Sequence, residues 1–370
     1  MTSTVFSVGQ HLVFPDGDRA TVTFVGVERI GLKFDDGAET LITVEALQAE
    51  LAASPAHRPE EPSQPATWPA STFVPEASDA RHYCGSHWDP FAESSADILK
   101  TLPDMLAAAT VQTGYGDVRP APRAAPDGWA KGVLLAWPAP NAGLTIGIRA
   151  DAHANNVVEI YPHRTEGSQH TLRLNRVLVW ERSVAAQIEA DWSPGGSIAF
   201  FDIAHVIDRG WYEAGMVYDF LLAGIAYDAQ IARTHEIAYT RNADEVAWMN
   251  LRRAADEPPI EAASTLYLDG CAMLVPVDDW DIDDYQFRGP VVAVTPFDDW
   301  LGQSGWRVRT TVMRGVGDEP FDLDIYVTRK AWRNSSPPEV GCDMEGRLWL
   351  QGRLWMPHRS AQPTRRPSAS

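Results

Sequence analysis

The sequence predicts a mainly β protein: a small N-terminal β barrel, a proline-rich linker, then two antiparallel β-barrel domains with a few helices. Three observations predict it. Short runs alternate apolar and polar residues and are bounded by Gly, Pro, Asn and Asp. One order of residues occurs twice. The first copy is Phe201-Asp202, Trp211, Glu213-Ala214-Gly215 and a strand-like run Tyr218–Gly224. The second is Phe321-Asp322, Trp332, Glu339-Val340-Gly341 and Gly346–Gly352. Finally, composition breaks at Ser54–Ser78, where Pro55, Pro59, Pro62, Pro65, Pro69 and Pro75 recur among Ala, Ser, Thr and Glu. The expected organisation is a barrel over 1–53, a linker over 54–80, a middle domain over 81–258, a C-terminal domain over 259–358 and a disordered tail over 359–370.

Composition bounds the function classes. The chain has 370 residues, and roughly 150 residues per domain predicts two or three domains. Its net charge of −19 disfavours binding to phosphate backbones, which are held by arrays of Lys and Arg, and to anionic membranes. Cys84, Cys271 and Cys342 are too few and too scattered for a disulfide framework, so a reducing, cytoplasmic setting is expected. Met1–Phe6 is not a basic region leading into an apolar core, so no signal peptide is expected. No apolar run reaches the ~20 residues that span a bilayer.

In the N-terminal part, Gly9–Phe14, Ala20–Gly26, Arg29–Phe34 and Glu39–Val44 read as strands. Pro15–Asp18 and Asp36-Gly37 supply the turns. Val44–Leu51 reads as a terminal helix. Four or five short strands with tight turns in about fifty residues resemble a small barrel of the SH3, Tudor or KOW kind. The resemblance implies peptide binding, nucleic-acid binding or docking to a neighbour, and the acidic balance puts nucleic acid behind the others. In the linker, Trp68 and Phe73 are read as pins to a domain surface ahead of a partner motif.

His82-Tyr83-Cys84-Gly85-Ser86-His87-Trp88 opens the middle part. The spacing of His82, Cys84 and His87 does not match ordinary zinc pairs. The stretch is similar to the papain-like Cys-Gly-Ser-Cys-Trp, but His87 stands where that motif has its nucleophile. A loop packing Trp88 inward is the preferred reading. Ile98, Leu99, Leu102, Met105 and Leu106 predict a helix over 94–110, capped by Ser94 or Ser95. Strands are expected at 132–137, 144–149, 157–161, 171–180, 185–190, 197–201 and 216–227, with a helix around 243–253.

In the C-terminal part, strands are expected at 266–275, 290–295, 306–313, 321–327 and 345–355, in an order that resembles an OB-fold barrel. Asp279, Asp281 and Asp283 alternate as in a calcium loop, yet Asp284 and Pro290 stand where an EF-hand has Gly and Glu. A solvated acidic loop is preferred over a metal site, and no cofactor is expected. Trp306, Tyr326, Trp349 and Trp355 are the candidates for an aromatic binding surface. The repeat itself is read as structural: Phe and Trp fill a core, and Asp202 and Asp322 accept backbone hydrogen bonds at a strand corner.

No phosphate-binding loop, dinucleotide glycine motif, zinc-protease helix or serine elbow is present in the sequence. The preferred reading is a non-enzymatic, bacterial-type adaptor with a protein partner and no catalytic residue. A tandem single-strand nucleic-acid binder, stacking bases on those four aromatics, comes second. A metal-dependent hydrolase using Asp279, Asp281 and Asp283, with Asp298 and Asp299, comes third.

Overall fold

The computed structural model describes residues 6–14, 18–35, 37–52, 71–74, 86–112, 131–150, 154–180, 183–192, 196–254, 257–315 and 319–357. His82, Cys84, the tail and most of the expected linker lie outside them. In chain order the first elements are β1 His11–Val13, β2 Arg19–Val25, β3 Arg29–Phe34, β4 Glu39–Thr43, α1 Val44–Ala52, β5 Ser71–Val74 and α2 Ser95–Ala108. There follow β6 Thr110–Val111, β7 Lys131–Pro138, β8 Ala142–Ala150, β9 Asn155–Arg164, β10 Ser168–Trp180, β11 Ala186–Trp192, β12 Gly196–Asp202 and α3 His205–Asp208. The rest are β13 Val217–Ile231, β14 Glu236–Thr240, α4 Ala243–Leu251, β15 Ala263–Tyr267, β16 Met273–Pro276, β17 Asp284–Trp300, β18 Gln303–Arg314, β19 Pro320–Thr328 and β20 Asp343–Pro357. Mainly β is therefore the class, as the alternation of the sequence implies. Among the described residues no helix is long and apolar enough to cross a membrane.

Two compact units form, and their limits differ from the expected ones. Unit 1 is 1–65 with 234–268; unit 2 is 66–233 with 269–370. In unit 1, β1 to β4 make an antiparallel sheet in sequence order. Alternate residues Leu12, Ala20, Val22, Ile30 and Leu32 are buried with Leu47 of α1. The returning segment 234–268 brings the antiparallel pair β14–β15, with α4 in the connection between them. Asn242 and Glu245 cap α4 reciprocally. Asp244 then takes the backbone N–H groups of Val27, Glu28 and Arg29 at 2.8, 2.6 and 2.9 Å. Any side chain at Gly26 would collide with that carboxylate, and one at Gly31 with the indole of Trp248. The helix expected at 243–253 is thus found, but it completes the N-terminal unit, not a middle domain.

Unit 2 holds a ten-stranded sheet and a second sheet, β6 to β9. Strands from both expected domains share the larger sheet. β13 pairs antiparallel with β20, from Tyr218 opposite Pro357 to Ile231 opposite Met344. The residues 259–358 therefore do not form a closed module by themselves. Within the expected linker, β5 adds a parallel strand to β10. Side chains sort by the period of two. Phe220, Leu222, Leu348 and Leu350 fill one core. Ala223, Ile225 and Trp349 face the other, with Leu144, Ile146 and Tyr161 of the second sheet and Met105 of α2. Trp88 is buried in this second core, where the loop reading placed it.

The larger sheet contains one pairing scheme twice. β10 pairs with β11 and β13, and β11 with β12. β17 pairs with β18 and β20, and β18 with β19, all antiparallel. Each first strand carries a one-residue bulge against its second, at Asn175 and at Val292. The two sets then exchange parallel partners, β12 with β20 and β19 with β13. A pseudo-twofold passes through the Gly224–Leu350 pair, and it carries the pair Phe201–Gln351 onto Tyr326–Ile225. Phe201 thus matches Tyr326, not Phe321. The two Phe-Asp pairs sit at opposite strand ends, for Phe201-Asp202 closes β12 and Phe321-Asp322 opens β19. Their likeness is one of residue type, whereas the register follows the bulges and the buried faces.

Candidate binding cleft

The pseudo-twofold gives unit 2 two equivalent ends, and the sequence makes them opposites. At the first end stand the acidic residues singled out above. The Gln187 side-chain amide donates to Asp281 at 2.7 Å and to Asp283 at 3.1 Å. Trp349 Nε1 donates to the other oxygen of Asp283 at 3.1 Å. Tyr227 donates its hydroxyl to Asp284 at 2.6 Å. Burial, with Asp284 beside it, holds that phenol well above its ordinary pKa. Asp278 and Asp279 are exposed, as a solvated loop requires, whereas Asp283 and Asp284 at its end are buried. Asp279 lies in a turn with φ 65°. Asp298 and Asp299 lie at the far end of β17, where Asp299 accepts the N–H of Gly302. Among the described residues no three His, Cys, Asp or Glu side chains converge as a metal site.

At the second end Ser168 stands where the first end has Tyr285. Tyr285 is buried and its hydroxyl bonds both the N–H and the C=O of Ala199, at 2.7 and 3.1 Å. Ser168 Oγ accepts the N–H of the matching residue, Asp324, at 3.2 Å. A hydroxymethyl group makes the same bond without the ring. Two adjoining cavities of about 620 and 560 Å³ open here, sharing Gly167 and Arg309.

The larger cavity runs along Gly167 and the first residues of β10, Ser168 to Thr171, and along Pro320 and Asp322 of β19. His170 stacks on Phe321 with centroids 3.7 Å apart and bonds the carbonyl of Asp322 at 2.9 Å. Burial pulls its pKa down to about 4, so the ring is neutral at neutral pH. The smaller cavity is lined by Arg307, Arg309, Arg353, Glu166, Leu221 and Trp355, among others. Arg309 forks onto buried Asp324 at 2.9 and 3.0 Å. Arg307 reaches Glu166 at 3.1 Å. Arg353 donates Nε to the carbonyl of Thr165 at 2.9 Å and lies over the Trp355 ring.

Only one of the four expected aromatic binders lines this cleft, namely Trp355. Trp306, Tyr326 and Trp349 are buried. They fall on inward faces of β18, β19 and β20, where Trp349 stacks against His87 and Tyr326 takes the Arg164 guanidinium. They offer no stacking platform. Cleft residues Ser168, His170, Arg307, Arg309 and Arg353 carry no motif. Their one signal was indirect: Arg307 and Arg309 alternate in an acidic chain, on the polar face of a strand.

The first Phe-Asp corner is a closed polar centre. Asp202 accepts the N–H of Ala204 at 3.0 Å and the hydroxyl of Tyr212 at 2.6 Å. His205 Nδ1 is 3.8 Å from the same carboxylate. Burial pushes Asp202 up to about 7 and His205 down to about 3, and holds Asp208 well above the usual carboxylate range. Asp202 serves the corner as its sequence context implies. Asp322 instead takes the hydroxyl of Thr311 at 2.6 Å.

Unit 1 presents a separate surface. Ile237 and Leu266 are opposite each other in the β14–β15 ribbon. With Tyr239 and Tyr267 they are exposed, Tyr267 by 73%. Beside them a cavity of about 430 Å³ is lined by Tyr239, Arg241, Trp248 and Glu39. No protein-family model, curated protein or solved structure matches the chain.

Proposed function

We propose that this chain is a non-enzymatic, cytoplasmic binding protein of bacterial adaptor type, acting through a protein partner. The observation that carries the reading is the β14–β15 ribbon, with Ile237, Tyr239, Leu266 and Tyr267 exposed on a two-stranded element. An isolated two-stranded ribbon bearing large apolar side chains is a recurrent form of protein contact surface. The neighbouring cavity lined by Trp248 and Tyr239 supplies the aromatic wall that peptide-binding barrels use, which supports the SH3-like reading of β1 to β4. The circuit of pairings from β20 through β17, β18 and β19 to β13 and back supports the OB-like reading of unit 2 and its origin by duplication.

A photoreactive phenylalanine analogue at Tyr267, in the full chain expressed in its native host, tests the reading. The expected result is one dominant protein adduct that disappears in the Ile237→Ser, Leu266→Ser double variant. No adduct, or an adduct indifferent to the double variant, rejects the ribbon as a partner surface.

A further inference from the structure

We propose that the cavity between Arg307, Arg309 and Arg353 binds the carboxylate of a small organic acid. Nothing in this proposal depends on the β14–β15 ribbon or on a protein partner. Three observations converge on it. The first is the pseudo-twofold comparison. Residue for residue, the bond from Gln187 to Asp283 at the closed end corresponds to the bond from Arg307 to Glu166 at the open end. The closed end fills itself with its own carboxylates, buried Asp283 and Asp284. The open end replaces those acids by Glu166 and Gly167, places Arg353 where Tyr227 stood, and leaves about 560 Å³ empty of protein.

The second is charge. Three guanidinium groups line this cavity against two carboxylates, Glu166 and Asp324, in a chain of net charge −19. A locally positive cavity in an acidic protein selects an anion and repels cations. Its volume falls in the range of roughly 300–1,000 Å³ typical of small-ligand sites.

The third is the arrangement of the arginines. Asp324 is buried and grips Arg309 through Nε and Nη2, fixing the plane of that guanidinium with Nη1 outside the fork. Arg353 is held through Nε by a backbone carbonyl. Arg307, by contrast, meets the Tyr326 hydroxyl and pairs with Glu166, whose side chain is 62% exposed. An exposed pair of this kind contributes little to stability. Glu166 therefore acts as an internal stand-in carboxylate that a ligand displaces, after which Arg307 closes on the ligand. The apolar wall of Leu221 and Trp355 receives the body of the acid.

Isothermal titration of the full chain at low ionic strength, with citrate and separately with pyrophosphate, tests this. Citrate is expected to bind. Arg307→Gln is expected to weaken it about tenfold or more, the loss of one charge-assisted contact. Glu166→Gln is expected to tighten it, because the internal competitor is gone. Arg176→Gln, at another exposed arginine–glutamate pair, is expected to leave it unchanged. Circular dichroism checks that each variant is folded. The proposal is overturned if citrate gives no saturable heat, if Arg307→Gln binds as well as the parent, or if Glu166→Gln weakens binding. Pyrophosphate binding without citrate binding overturns the carboxylate assignment in favour of phosphate.

Discussion

The buried titratable groups of unit 2 set its response to pH one residue at a time. Asp202 ionises at about 7 when folded, because burial outweighs its bonds to Tyr212 and Ala204. An unfolded aspartate ionises near its ordinary value of about 4. Between these values the folded state binds the extra proton, so Asp202 stabilises the fold fully at the acid end and loses that effect as pH rises towards 7. His163, His170 and His205, all lowered by burial, act with the opposite sign over much of the same window. The wild-type curve therefore mixes both. The informative quantity is the stability of the wild type minus that of Asp202→Asn, measured by denaturant unfolding from pH 4 to 8. It should fall with rising pH, by at most about 1.4 kcal/mol per pH unit, and level off above 7. A flat difference contradicts the raised carboxyl.

Single elements owe their place to a few contacts made from far along the chain. α4 is the clearest case. Its own sequence specifies a capped helix, but Asp244 attaches it to the turn between β2 and β3 through three backbone N–H groups. Those bonds outweigh the opposing effect of burial and hold the carboxyl below its ordinary range. Asp244→Ala should destabilise unit 1 by about 2–3 kcal/mol, the loss of charge-assisted hydrogen bonds to three partly exposed backbone N–H groups. Native-state hydrogen exchange at Val27, Glu28 and Arg29 should report it directly. Unchanged protection at those amides would mean that the helix is held by Trp248 packing instead. The strand pair β14–β15 and the strand β5 likewise owe nothing visible to a motif. Each is short, and its role is set by the partner strand it meets.

At the scale of the whole molecule, the border expected at 258–259 cuts through a continuous pairing. β20 runs along β13 for its full length and along β17 and β12 on its other edge. A fragment of residues 259–358 would expose one long apolar edge of β20 and one of β19. It should fail to give dispersed amide resonances, whereas 66–370 lacking 234–268, joined by a short linker, should give them. A well-folded 259–358 fragment would show that the exchange of β12, β13, β19 and β20 is dispensable. The same exchange explains why the open and closed ends differ so sharply. Symmetry fixes where the two ends lie, and the side chains at Ser168 or Tyr285 and at Arg307 or Gln187 decide which is a cavity.

The sequence by itself determined the β class, the strands of both sheets in outline, the two principal helices and the inward packing of Trp88, because these follow from local alternation and capping. The repeat it suggested, Phe201-Asp202 against Phe321-Asp322, is a likeness of residue type alone, for the two pairs sit at opposite strand ends. Only the tertiary structure decided the pseudo-twofold register of the larger sheet, since Phe201 matches Tyr326 through bulges and buried faces that no residue type announces. It alone carried 234–268 into unit 1, because Asp244 and its three donors are over two hundred residues apart. And it alone turned the acidic loop into a filled end and the unmarked arginines of β18 into a cleft. Burial and charge at a site depend on which strands meet there, and in a chain that exchanges strands between halves, proximity in sequence does not reveal that.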